Sequence, residues 1–184
     1  LRLVADDPKT EDGTKFLDQQ ALSTPVVALA SATREVLGVG DLIERMLIRT
    51  ENAFNNNDLA PLKEIAALEK RVDHIQQEVK IYLSKLGREG LDEETGRRSI
   101  VIIDYAINLE HIGDIIEKGL CEQVAKKITK GLTFSEDGYE ELKSLFNMTI
   151  DNLRVAQTIL VTRDFKLAVQ MMEVKVNVRR LEKQ

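Results

Sequence analysis

Three segments of this 184-residue chain repeat one pattern: an apolar residue, Glu, three residues, then Asp or Asn. They read Leu68, Glu69 and Asp73; Leu109, Glu110 and Asp114; Met172, Glu173 and Asn177. On a helix, side chains four apart differ by about 40° around the axis and about 6 Å along it, so both can reach one object. Carboxylates gathered without His or Cys suit hard to borderline cations: oxidised iron, manganese, magnesium, and zinc less comfortably. Two such pairs facing each other, partly out of water, could not persist as four bare charges. Either cations neutralise them or they face solvent. In the second case, Lys70, Arg71 and Lys80 would balance an ordinary charged helix face with no metal at all.

The elements that must position these residues are helices. Leu29, Ala32, Val36, Val39, Ile43, Met46, Thr50 and Ala53 recur in steps of three and four, predicting a first helix that opens after Ser23-Thr24 at Pro25 and runs to about Asn55. Asn55 to Asp58 interrupt the pattern. A second stripe follows in Ile65, Leu68, Val72, Ile75, Val79, Tyr82 and Leu86, ending near Gly87 and Gly90. Asp92, Glu93 and Glu94 suit the N-terminus of a long third helix striped by Ile102, Tyr105, Leu109, Ile112, Ile116 and Leu120 and closed by Gly131. Ile103, Ile107, Cys121 and Val124 widen its apolar arc, placing Glu110 and Asp114 within it or at its edge. Gly113, between the two acids, leaves space beside them.

A fourth helix follows Ser135 with Leu142, Phe146, Leu153, Ala156 and Leu160 inward; a fifth opens at Asp164 with Phe165, Val169, Met172 and Val176. Strand signals are absent, so the expected class is all-α, an antiparallel three-helix bundle with two helices of a second. Both second helices of the two units open at an Asp and then carry the Glu frame. This divides the chain into a linker or extended arm over 1–24, a complete three-helix unit over 25–131 and a partial unit over 132–184, whose apolar stripe would be left uncovered.

Composition narrows the function. With 26 Lys+Arg against 31 Asp+Glu, the net charge is −5, against nonspecific nucleic-acid binding. No apolar run approaches the length of a membrane span. The single cysteine, Cys121, allows no internal disulfide and fits a small core position in a reducing compartment. His74 and His111 lack Cys partners and Glu-x-x-His spacing, so a ferritin-like di-iron site is disfavoured. Met171 and Met172 are expected to pack. No serine elbow, P-loop or glycine-rich phosphate cradle marks an enzyme. The chain starts at Leu1 and stops at Gln184 inside a helical pattern, so it is expected to be a piece of a longer protein.

The paired frames, with Leu109-Glu110-His111-Ile112-Gly113-Asp114 close to a Leu-Glu-Arg-Ile-Gly-Asp signature, resemble those of PhoU-type domains. Ser23-Thr24-Pro25 and Ala32-Thr33-Arg34-Glu35-Val36-Leu37 are similar in particular to the PhoU-like soluble tail of bacterial sodium/phosphate cotransporters. The resemblance implies a non-enzymatic regulatory domain on the cytoplasmic side of the inner membrane, attached to the transmembrane part of the same chain and sensing phosphate or metal status to adjust sodium-dependent phosphate uptake. It further implies a multinuclear iron or zinc cluster held by Glu69, Asp73, Glu110 and Asp114, with phosphate as a bridging ligand, and a homodimer as partner arrangement. Asn177 replaces an acid in the second unit, so no full cluster is expected there. The competing expectation is a metal-free helical oligomerisation or interaction scaffold.

Overall fold

A computed structural model describes residues 13–88 and 90–181, with side-chain surroundings given as far as Glu173. The architecture is all-α. A 3₁₀ turn, Gln20–Ser23, precedes α1 (Pro25–Asn56), α2 (Ala60–Gly87) and α3 (Glu93–Asp114); a π-helical turn, Ile115–Leu120, leads into α4 (Cys121–Thr129), followed by α5 (Glu136–Thr162) and α6 (Phe165–Leu181). The helix ends follow from local chemistry. The Asp92 carboxylate accepts the amide hydrogens of Glu94 and Thr95 at 3.0 Å, and the Thr95 hydroxyl holds it below the usual carboxylate range. Ser135 accepts from the Gly138 amide at 3.2 Å, and Gly131 takes φ 62 where the chain leaves α4.

Every residue of the first predicted stripe is buried, from Leu29 to Ala53. Those from Leu29 to Met46, together with Ile65, Val72, Ile75, Val79, Tyr82 and Leu86 of α2 and Ile102, Leu109 and Ile116 of the third rod, form the three-helix core, while Ala53 joins a smaller cluster with Phe54 and Val124. Helix α5 joins the same core through Phe146, Ile150, Leu153 and Leu160, packing on α1, so the partial second unit shares its apolar centre with the first. Helix α6 packs on α5.

The third rod departs from the predicted stripe. The buried line is Ile102, Ala106, Leu109, Gly113 and Ile116, then Cys121 and Val124, while Tyr105, Ile112 and Leu120 are half-buried. The step of five from Ile116 to Cys121 is the mark of the π turn, whose extra residue rotates the downstream apolar face back onto the core. Gly113 also differs from expectation. A Cβ there would lie 3.3 Å from Ile43 Cδ1 and 3.7 Å from Val72 Cγ1, so its smallness lets α3 approach α1 and α2 and does not make room for the acids.

The described part of the N-terminal arm is folded onto the bundle. Glu35, only 4% exposed, accepts the amide hydrogens of Lys15 at 2.9 Å and Phe16 at 2.6 Å. The Tyr82 hydroxyl donates to the Asp18 carbonyl at 2.8 Å, and Leu17 and Leu22 rest on the core. The first twelve residues of the expected arm lie outside the described residues.

On the far side, the fifth-helix stripe is uncovered: Phe165 is 77% and Met172 70% exposed, and Val169 is also exposed. Met172 therefore does not pack as expected, and Met171 is half-buried. Phe165, Met171 and Met172, with Val101 and Tyr105, line a furrow of about 1130 Å³ between α3, α5 and α6. Burial pushes the Tyr105 phenol up to about 12. No described helix is long and apolar enough to cross a membrane.

Candidate functional site

Helices α2 and α3 are joined by a short connection and run antiparallel, with Val72 beside Gly113. This register sets Glu69 against Asp114 and brings Asp73 one turn along toward the level of Glu110. All four predicted residues are half-buried, on the shoulder of the α2/α3 seam. The Glu110 side chain is 22% and that of Asp114 33% exposed. Both histidines are exposed, as expected of surface or supporting residues; His111 Nε2 lies 3.6 Å from Glu110 Oε2.

The electrostatics centre on Glu69. Its carboxyl is raised above the usual value, first by burial and then by the Asp114 carboxylate, with Asp73 and Glu117 adding and Lys118 opposing. Glu117 and Lys118 belong to the π turn that begins directly after Asp114. Sequence reasoning missed both, because the extra residue that brings them to the cluster has no signature other than the five-residue gap in the buried line. Lys118 Nζ donates to Asp114 Oδ1 at 2.6 Å, which holds the ammonium above its ordinary value, and Gln77 Nε2 donates to Asp73 Oδ1 at 2.8 Å. Among the described residues, no three His, Cys, Asp or Glu side chains converge as a ready ligand set for a metal ion. The seam places Lys118 beside Asp114, Glu69 and Glu117, with Asp73 adding to the negative charge at Glu69, while the contact given for Glu110 is to His111.

A raised carboxyl carries a definite pH signature. The folded state binds this proton more readily than the unfolded chain, so the charge on Glu69 opposes folding as pH rises above the ordinary value of 4.5 and costs nothing well below it. Glu69→Gln should therefore raise Tm at neutral pH, by about 1–2 °C for a site this exposed to solvent. The gain should fade as pH is lowered toward 4, and a gain independent of pH would contradict this electrostatic account.

In the second unit, Glu173 is exposed, and the side chain of Asn177, like that of Val176, lies outside the described residues. Cys121 is buried with its thiol pushed up by burial, as expected of an unreactive core residue.

The PhoU domain family matches residues 36–122, from the middle of α1 to the start of α4, and so includes both acidic pairs and the π turn. The chain carries a PhoU-like domain. Curated relatives extend the likeness beyond that stretch. "Putative inorganic phosphate export protein YjbB" of Salmonella typhimurium strain LT2 is 34% identical over 168 residues, covering 89% of this chain and 30% of that protein. The proteins of the same name from Escherichia coli O157:H7 and Escherichia coli K12 are each 34% identical over 164 residues, covering 88% of this chain and 30% of theirs. The chain thus spans under a third of the length of these relatives. No solved structure matches.

Proposed function

We propose that this PhoU-like domain is the regulatory module of a membrane phosphate transporter, adjusting phosphate movement in response to phosphate or metal status. The observation that carries the reading is the α2/α3 seam, where carboxylates outnumber the one lysine inside the stretch matched by the PhoU family. The relatives support it, being named for inorganic phosphate export and much longer than this chain. In this reading the rest of the transporter lies in the membrane, the bundle works on its cytoplasmic side, and the coupled ion is sodium. In this reading the domain's role is regulatory and not catalytic.

The donor set fits a hard cation. It is built of carboxylate oxygens, and the Glu69 carboxyl is raised first by burial and then by the Asp114 carboxylate, whose effect Lys118 only partly opposes. Glu69, Asp73, Glu110 and Asp114 would hold it, with iron or zinc ahead of manganese or magnesium. Lys118 and Gln77, which now occupy Asp114 and Asp73, are both exposed and free to swing away. A bound cation would supply the charge neutralisation that lets anionic phosphate approach an acidic face.

Those same two contacts favour a second reading, a metal-free interaction scaffold whose acids are balanced by neighbouring side chains. Thermal unfolding with and without a chelator separates the two. If a cation is held, chelation should lower Tm by several degrees in the wild-type chain and leave Glu110→Ala/Asp114→Ala unchanged, with matching loss of metal by elemental analysis. Equal, low metal content in both proteins, with no chelator response, would leave only the scaffold.

A further inference from the structure

At the opposite end of the bundle from the α1–α2 turn, α1, α3 and α5 line an open cavity of about 590 Å³. Its walls include Leu29, Leu37 and Val161, and its polar side is formed by Arg34, Arg98 and Arg163 with Asp92 and Glu94. Three cations against two anions leave one net positive charge. The anions have partners: Asp92 caps α3 and accepts the Thr95 hydroxyl at 2.5 Å, while Glu94 pairs with Arg163 of the same wall at 3.3 Å, leaving Arg34 and Arg98. Arg98 is half-buried, and among the described residues its hydrogen bond goes to the neutral Leu160 carbonyl, at 2.6 Å. Arg34 lies with its guanidinium 3.9 Å above the Phe16 ring, in the arm that Glu35 pins down, so it is held at the cavity, and among the described residues no carboxylate takes its N–H donors.

We propose that this cavity binds a phosphoryl oxyanion between the guanidinium groups of Arg34 and Arg98. Each guanidinium offers five N–H donors in a planar fork, and two forks on different helices match a tetrahedral dianion better than a single carboxylate, which one fork would satisfy. Burial and the neighbouring Arg163 both disfavour the charge on Arg98, which an incoming anion would relieve. The volume exceeds that of a bare phosphate, leaving room for its water or for the organic part of an ester. The proposal rests on the regulatory reading only in the choice of phosphate as probe, since its residues are separate from the acidic seam.

The competing role for Arg98 is to tie down the last turn of α5. Arg34 stands on another helix and, among the described residues, caps no helix end, so Arg34→Gln is the deciding variant, with Arg98→Gln beside it. Calorimetric titration of the chain at low salt with inorganic phosphate, and separately with glycerol 3-phosphate as a soluble stand-in for a lipid headgroup, should give saturable binding to at least one. Either substitution should weaken it by about tenfold or more, with the helical circular dichroism of Arg34→Gln unchanged. Glu69→Gln/Asp114→Asn would remove only phosphate held through a cation at the seam and should leave the arginine-dependent binding in place. Binding to the ester alone would identify an esterified phosphate as the ligand class. Absence of saturable binding at millimolar concentration, or unchanged affinity in Arg34→Gln, would overturn the proposal. If phosphate binding disappears in the acidic variant but persists in the arginine variants, the cavity proposal fails while the seam reading stands.

Discussion

Glu35→Ala should release the N-terminal arm and lower stability by about 3 kcal/mol, or about 6–12 °C in Tm for a chain of this size. The carboxylate is almost wholly buried, and its Oε2 accepts two consecutive backbone amides from a segment twenty residues upstream. Hydrogen bonds to an ionised acceptor contribute about 1.5–3 kcal/mol each, and they are not additive when they share one oxygen. Alanine also opens a hole beside Val36 and Val39, whereas Glu35→Gln keeps an acceptor and the volume and should cost about half as much. Amide hydrogen exchange at Lys15 and Phe16 should accelerate strongly in the alanine variant, with trypsin cleaving after Lys15. Tyr82→Phe, which removes one neutral bond to the Asp18 carbonyl, should leave the arm in place and cost about 1 kcal/mol. Unchanged protection at Lys15 and Phe16 in Glu35→Ala would mean that Leu17 and Leu22 alone hold the arm.

What could be read in advance follows from which forces are periodic. The α1 stripe was legible in full because burial on a helix facing the core obeys steps of three and four, and α1 is central, touching α2, α3 and α5. The acidic frames were legible for the same reason: Glu69 and Asp114 come together because a short connection makes α2 and α3 antiparallel neighbours. The arm was not legible. Nothing in Lys15-Phe16 signals docking, and a single Glu at position 35 inside a strong apolar pattern looks like a tolerated surface residue until its partners are known. The π turn was missed because the expected stripe ran through Ile112 and Leu120, the larger side chains, where the buried line takes Gly113 and then reaches Cys121, a residue expected in the core but not as the next step of that line. Volume was mistaken for burial at the place where helix approach is tightest.

The other large effect is expected at that approach. Gly113 is buried in the last turn of α3, just before the π turn, and leucine there should destabilise the chain by about 3 kcal/mol, because its branches would have to displace Ile43 and Met46, both fully buried. The damage should be local to the seam as well as global: with α3 levered away from α2, Asp114 recedes from Glu69, and the pH-dependent gain expected of Glu69→Gln should shrink in the Gly113→Leu background. Alanine poses a finer test. It gains up to about 1 kcal/mol of helix propensity, opposed by a Cβ 3.3 Å from Ile43 Cδ1 that requires the neighbour to yield by a few tenths of an ångström. Ile43→Val deletes that methyl and alone should cost about 1 kcal/mol. In Gly113→Ala the same deletion relieves the contact, so its cost should fall and the cycle should show a favourable coupling of about 0.5–1 kcal/mol. Strict additivity of the two substitutions would mean that Ile43 does not limit the approach of α3, leaving the acids paired for another reason.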